Sequence, residues 1–116
     1  MRQWMVNPAY MCRKHLLGEH VEHHMLLGSL QRKKSITGHI IRNQLEPMSL
    51  ISRHNDIANE MTSRGYSHKS ELNVAVKDLI AYLPEKEQNY KVNSNESLRD
   101  LLDRCIECSK RYDRLK

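Results

Sequence analysis

The chain has 116 residues, a length that suits one domain with its own core and leaves no room for a second. Hydrophobic residues make up 39% and charged residues 28%, with one Trp and no Phe, so the composition excludes a disordered chain and predicts a core of aliphatic residues and Met. The net charge of +5 favours a polyanionic partner, although a solvated basic surface would give the same value.

Three main helices are predicted along the chain. The first runs over about Arg13–Arg32, after the turn-prone pair Asn7-Pro8. A basic, mobile connection of the kind that often binds phosphate follows over Gln31–Glu46. The second helix begins near Pro47, carries apolar residues at spacings of three and four, and stops at Gly65.

The C-terminal third contains a short segment and the third main helix. The segment Val74–Leu83 ends at Pro84, and a helix is slightly favoured there over a strand. The third main helix opens at the polar cluster Asn93–Glu96, whose side chains can cap its first turn, and continues to the C-terminus. The pattern predicts a compact all-α domain of three main helices with long connecting loops.

The N-terminus and the cysteines indicate the compartment. The chain start lacks the apolar core of a signal peptide, and no run reaches the roughly 18 apolar residues of a membrane span. We therefore expect a cytoplasmic protein with no membrane partner. Cys12, Cys105 and Cys108 are an odd number of cysteines, and Cys105 and Cys108 lie inside a predicted helix, so ordinary buried thiols are favoured over a redox pair.

The first helix gathers ionisable groups on one face. At 100° per residue, His15, Glu19 and Glu22 fall on the same side of the helix. No Lys or Arg occurs from His15 to Leu30, which is unusual in so basic a chain. We therefore expect these carboxylates to face cations that come from elsewhere in the fold.

A metal site is one alternative explanation of this helix. His20 and His24 lie one turn apart, as do Glu19 and His23, and zinc ligands have this spacing. Neither the HExxH order nor its inverse is present, so no metal ligand and no cofactor are assigned. A metal-dependent nuclease that uses His20, His24 and a glutamate stays open as an alternative.

The order of residues on this helix also resembles a known family. The segment HLLGEHVE, with the four residues from Met25, resembles the first helix of the pyrimidine-dimer DNA glycosylases, the phage-type endonuclease V family. The similarity covers roughly the first 72 residues. Its further parts are the Met-Arg-x-Trp start of a bacterial branch and, at the second helix and its exit, Arg53-His54, Ala58–Met61 and Arg64–His68.

This resemblance implies a single glycosylase-like domain over residues 1–116, with the N-terminus threaded between helices. In the family, the α-amine of the chain attacks C1′ of a damaged nucleotide, displaces the base and forms an imine, after which elimination cuts the strand. An amine with a pKa of roughly 8 suits this role better than a lysine. The resemblance places Met1 at the nucleophile and Glu22 at the catalytic glutamate. Arg2 is not small, so we expect Met1 to be retained.

The resemblance also implies that the partner of this expected monomer is damaged or modified double-stranded DNA. Arg2 and His15 match positions near the reacting nucleotide, and Glu19 matches as a partner on the helix face rather than a second catalyst. The other candidates for DNA contacts are basic residues in the matched motif, in the basic connection and near the C-terminus: Arg32, Lys33, Lys34, Arg42, Arg53, His54, Lys110, Arg111 and Arg114.

Some positions depart from the family pattern. Val21 and Met25 stand where the best-known phage relatives carry arginines, and Tyr112 is the remnant of their aromatic C-terminal segment. The lesion is therefore left open between a pyrimidine dimer, an abasic site and another modified base. A non-catalytic helical DNA-binding protein is the alternative from a different functional class.

Overall fold

The computed structural model of the chain describes residues 1–67 and 71–116, and within those ranges it contains helices and no strand. Short 3₁₀ turns precede two of the helices, at Pro8–Tyr10 and Pro47–Ser49. None of the described helices is long and apolar enough to cross a membrane. The predicted all-α class is confirmed. The α-helices of the described ranges are α1 (Arg13–Gln31), α2 (Thr37–Ile41), α3 (Leu50–Ser63), α4 (Val76–Leu79), α5 (Glu85–Gln88), α6 (Ser94–Arg104) and α7 (Ile106–Leu115).

The first two predicted main helices correspond to α1 and α3, but the third is divided into α6 and α7. Cys105 has an extended backbone, with φ −128° and ψ 110°, which ends one helix and begins the next. Its sulfur accepts a hydrogen bond from the backbone N–H of Cys108 at 3.4 Å and so caps α7. The described fold therefore has four main helices rather than the predicted three.

The predicted connections are more ordered in structure than the sequence indicates. The connection after α1 contains the helix α2, and Ile36 and Ile40 are buried there. The segment Val74–Leu83 contains the short helix α4, which confirms the preference for helix over strand. His68, the last residue of the second matched motif, lies outside the described residues.

The helix α1 joins two hydrophobic clusters. Leu16 belongs to a cluster that includes part of the N-terminal segment (residues 1–7) together with residues of α3, α6 and α7. Leu26 belongs to a second cluster, built largely from the chain between α1 and α5. Between these two apolar ends the helix buries Glu19 and His23. Burial of a carboxylate is costly unless it is paired, so the middle of α1 requires partners from other segments.

The N-terminal segment runs between the main helices. The backbone N–H of Trp4 donates to Glu19 Oε1 on α1 at 3.0 Å. Ser97 Oγ on α6 donates to the carbonyl of Trp4 at 2.5 Å, and Arg53 Nη1 on α3 donates to the carbonyl of Val6 at 2.6 Å. The predicted threading of the N-terminus between helices is thus confirmed.

The C-terminal end of α1 has a residue with a left-handed backbone. Lys33 has φ +55°, and its N–H donates to the carbonyl of Leu30 at 3.0 Å. The N–H of Lys34 donates to the carbonyl of Ser29, also at 3.0 Å. These two bonds form a Schellman motif, in which the left-handed position is usually glycine.

Lys33→Gly is expected to raise the free energy of unfolding by roughly 0.5–1 kcal/mol, because glycine adopts a positive φ without the steric cost of a β-carbon. Urea denaturation followed by circular dichroism measures the change. Lys34→Gly is the matched control, since Lys34 has no positive φ, and it should not stabilise the protein. Equal effects of the two substitutions would contradict the prediction.

Candidate active site

A cavity of about 420 Å³ opens between the N-terminal segment and the ionisable face of α1. The fold brings four predicted site residues together there, namely Met1, Arg2, His15 and Glu22. The complete lining consists of Met1, Arg2, Trp4, Lys14, His15, Gly18, Glu19, Glu22, Gln44 and Arg104. The cavity therefore combines the chain's first residue with carboxylates, cations and an imidazole.

Glu22 is half-buried in the wall of this cavity, beside the first residues of the chain. The backbone N–H of Arg2 donates to Glu22 Oε2 at 3.2 Å. Burial raises the pKa of the Glu22 carboxyl, and the positive charge of the Met1 α-amine partly opposes this rise. The net pKa shift is upward. The positive charge of the α-amine thus acts on the carboxyl of Glu22.

The side chain of Met1 holds the first residue in place. It packs against the second hydrophobic cluster, and Ser29 Oγ donates to Met1 Sδ at 3.7 Å. The hydrogen bond from Arg2 N–H to Glu22 fixes the next residue. The position of the α-amine relative to α1 is therefore set by contacts on both sides of its Cα.

Arg2 lies against the cavity wall. Its guanidinium is 3.7 Å from the centroid of the Trp4 ring, and its Nη1 is 2.8 Å from Asp100 Oδ2. The other oxygen of Asp100 lies 2.8 Å from Arg104 Nε. One carboxylate on α6 thus orients two arginines that line the cavity.

Glu19 is a buried structural carboxylate, although it lies on the same helix face as Glu22. It is 1% exposed and forms a bidentate pair with Arg53, whose Nε donates at 2.6 Å and Nη2 at 3.1 Å. His23 Nδ1 donates to the carbonyl of Glu19 at 2.8 Å, and burial lowers the pKa of His23. These contacts favour the predicted helix-face role of Glu19, and the cation that it meets comes from α3.

The placements of Arg53 and His54 do not fit the predicted DNA contacts. Arg53 is 3% exposed and His54 is fully buried. The guanidinium of Arg53 donates hydrogen bonds to Glu19, to the carbonyl of Val6 and to Met11 Sδ inside the fold. The matched motif suggested that these basic residues contact DNA at the surface. Instead, Arg53 is buried because it pairs with the buried carboxylate of Glu19 on α1.

Three of the four histidines of α1 lie in its middle, and the fourth, His15, lies near its start. His23 lies beside Glu19, whereas His20 and His24 meet His54 of α3, with a ring nitrogen of each within 4.8 Å of the others. The third member of this cluster is a histidine and not the glutamate that the nuclease alternative requires. These three residues are one group in the described fold that could hold a metal ion.

The remaining predicted DNA contacts lie on the surface outside the cavity lining. Arg32, Lys33 and Lys34 are exposed at the end of α1, roughly 15 Å along the helix from Glu22. Arg42 is exposed after α2. On α7, Lys110 and Arg114 are exposed, while Arg111 Nε donates to the carbonyl of Ala9 at 3.0 Å.

Sequence reasoning missed three polar residues of the cavity. Lys14 lies one helical turn before Gly18 and two turns before Glu22, so helical periodicity alone could have indicated a position near the site. Gln44 and Arg104 come from segments distant in sequence, and no local pattern marks them. Arg104 is 63% exposed in its side chain, so it is available to an anionic ligand at the cavity.

Comparison with known proteins gives one match. A family model described as pyrimidine dimer DNA glycosylase matches residues 1–74 of the chain. No curated protein and no solved structure is significantly similar to it. The matched residues, which include the N-terminal segment, α1, α2 and α3, supply all of the cavity lining except Arg104.

Proposed function

The chain belongs to the pyrimidine dimer DNA glycosylase family, and we propose that it releases a damaged base and then cuts the strand through an imine formed by the α-amine of Met1. Family membership makes the protein a DNA repair glycosylase and DNA its substrate class. The observation that carries the finer proposal is the hydrogen bond between Arg2 N–H and Glu22, in a cavity that Met1 also lines.

Met1 is the proposed nucleophile. The nitrogen lone pair forms a bond to C1′ of the deoxyribose as the bond from C1′ to the base breaks, and the base leaves with a proton. The nitrogen then loses a proton and the C1′–O4′ bond breaks, with O4′ taking up a proton as the nitrogen lone pair completes a cationic imine. An α-amine with a pKa of roughly 8 keeps a usable neutral fraction at neutral pH, which a lysine with a pKa of about 10.4 does not.

Glu22 is the proposed proton carrier. As a carboxylate it accepts the proton that the attacking amine releases, and its charge stabilises the cationic imine next to it. Loss of a proton from C2′ of the imine then expels the 3′-phosphate and cuts the strand. The raised pKa of Glu22 supports this role, because a carboxyl that titrates nearer to neutrality both accepts and returns protons more readily.

Cations at the cavity would hold the DNA backbone around the reacting sugar. Lys14 and Arg104 are exposed and line the cavity together with Arg2. The amine must reach C1′ inside the duplex, and expelling a nucleotide from the base stack costs a few kcal/mol, which phosphate contacts offset. The exposed cations at the end of α1 and on α7 are candidates for more distant phosphates.

Sodium borohydride is expected to trap the protein covalently on duplex DNA that contains a single abasic site, because it reduces the imine to a stable amine. Denaturing electrophoresis measures the adduct, and peptide mass spectrometry locates it at the Met1 nitrogen. Lys14→Met removes the lysine that lines the cavity, so it is expected to weaken DNA binding, but with protein in excess over DNA the adduct should still form at the Met1 nitrogen.

An adduct on a lysine, or no adduct from protein with a free α-amine, would contradict the proposal. DNA binding without cleavage would favour the non-catalytic DNA-binding protein. Cleavage without an adduct would favour the metal-dependent nuclease, for which the cluster of His20, His24 and His54 supplies candidate ligands.

A further inference from the structure

Three cysteines and one histidine converge where α7 meets the start of α1. Cys12 and His15 lie at the beginning of α1, and Cys105 and Cys108 lie at the beginning of α7. One ligand atom from each residue, three sulfurs and an imidazole nitrogen, lies within 4.8 Å of all the others. The two pairs are distant in sequence, so only the folded chain creates this group.

Three of the six distances within the group fit the edges of a tetrahedron around zinc. Zinc bonds of about 2.3 Å to sulfur and about 2.0 Å to nitrogen place two sulfurs ~3.8 Å apart, and a sulfur and a nitrogen ~3.5 Å apart. Cys12 Sγ lies 3.8 Å from Cys105 Sγ. His15 Nδ1 lies 3.3 Å from Cys12 Sγ and 3.7 Å from Cys108 Sγ.

Backbone amides support the sulfurs of this group. The N–H of Cys12 donates to Cys108 Sγ at 3.2 Å, and the N–H of Cys108 donates to Cys105 Sγ at 3.4 Å. Such hydrogen bonds orient the two sulfurs as ligands and stabilise them in the metal-bound form. Both pairs also have the spacing of two intervening residues that is typical of zinc sites.

We propose that Cys12, His15, Cys105 and Cys108 bind one Zn²⁺ in a structural site. Three thiolates and an imidazole suit zinc and exclude the hard cations Mg²⁺ and Ca²⁺. Four protein ligands complete a tetrahedral shell with no open position, as in structural rather than catalytic zinc sites. The ion links the start of α7 to the start of α1. The helix α7 lies beyond the residues that match the family model.

Zinc at this position also affects the candidate active site, because His15 lines the cavity and its ring lies 5.8 Å from the ring of Trp4. A metal on Nδ1 leaves the imidazole proton on Nε2 and prevents a second protonation. His15 is then a neutral hydrogen-bond donor at every working pH. This consequence for the reaction rests on the proposed function, whereas the binding of zinc does not.

Elemental analysis of the full chain, purified from zinc-supplemented cells and freed of loose metal, is expected to give one zinc per chain. Exchange of zinc for Co²⁺ is expected to produce sulfur-to-cobalt charge-transfer absorption and the intense visible bands of a tetrahedral complex. Protein without zinc, or a weak octahedral cobalt spectrum without charge transfer, would overturn the proposal. This measurement needs no variant and so does not depend on how a substitution folds.

Cys105→Ser tests the ligand set, because Cys105 is less buried than Cys108 and its loss disturbs packing least. Its affinity for Zn²⁺ is expected to fall by about 100-fold or more. His24→Gln is the matched control, since it changes the histidine cluster alone and should keep one zinc per chain. Unchanged affinity in Cys105→Ser, or loss of zinc in His24→Gln, would refute the proposed ligands. Failure of borohydride trapping would leave the zinc result unaffected, so the two proposals fail separately.

Discussion

Glu22→Gln is expected to lower the rate of strand cleavage by about 10²–10⁴-fold while leaving the affinity for abasic-site DNA nearly unchanged. The amide oxygen of Gln can still accept the hydrogen bond from Arg2 N–H, so the N-terminal segment keeps its position. The amide cannot accept a proton from the amine or stabilise the cationic imine. Single-turnover cleavage of a duplex with one abasic site measures the rate, and fluorescence anisotropy measures the affinity.

Glu107→Gln is the matched control for this loss. Glu107 is an exposed carboxylate on α7 that contacts Lys110 at 3.8 Å and does not line the cavity. Its substitution is expected to leave the cleavage rate at the wild-type level. Equal rates in Glu22→Gln and wild type would remove Glu22 from the reaction.

The same Glu22→Gln substitution is expected to stabilise the protein at neutral pH. Burial gives Glu22 a raised pKa in the folded state, so the fold favours the protonated carboxyl. The stability from this preference is fully present below the ordinary pKa of glutamate and is lost as the pH rises through the higher folded value. Gln resembles the protonated form at every pH. The variant's free energy of unfolding should therefore exceed that of the wild type by an amount that increases with pH. Urea unfolding at several pH values measures this difference.

Arg53→Met is expected to lower the free energy of unfolding by about 3–5 kcal/mol, the largest stability change among these predictions. It leaves the buried carboxylate of Glu19 without its bidentate partner and the carbonyl of Val6 without a donor. Native domains are stable by only about 5–15 kcal/mol, so the variant should be close to unfolding at 25 °C. Urea denaturation followed by circular dichroism measures the loss.

Two further variants test the cause of this loss. Adding Glu19→Gln to Arg53→Met should recover part of the stability, because the amide removes the uncompensated buried charge. Lys110→Met breaks an exposed ion pair and is expected to change stability by no more than about 0.5 kcal/mol. If Arg53→Met costs no more than Lys110→Met, the buried pair does not anchor the N-terminal segment.

Residue patterns along the chain were enough to predict the fold class, the two helices α1 and α3, and the face of α1 on which Glu22 and His15 lie. These features depend on the spacing of residues along a single helix, where neighbours three and four positions apart must share a surface. The match of Met1, Arg2 and Glu22 to a family motif also predicted that these three residues lie at one site. Local periodicity and a contiguous motif were sufficient because every residue concerned lies at the chain start or on one helix.

The folded structure, and not the sequence pattern, shows which charged groups are buried and which distant segments are in contact. Arg53 belongs to a motif that indicated DNA contact, yet it pairs with Glu19 because a buried carboxylate requires a cation wherever the fold can supply one. Cys105 follows a helical pattern, yet its backbone is extended at the junction of α6 and α7, where its sulfur lies 3.8 Å from that of Cys12. Such contacts depend on how distant segments pack together, and residue spacing within one helix carries no information about that packing.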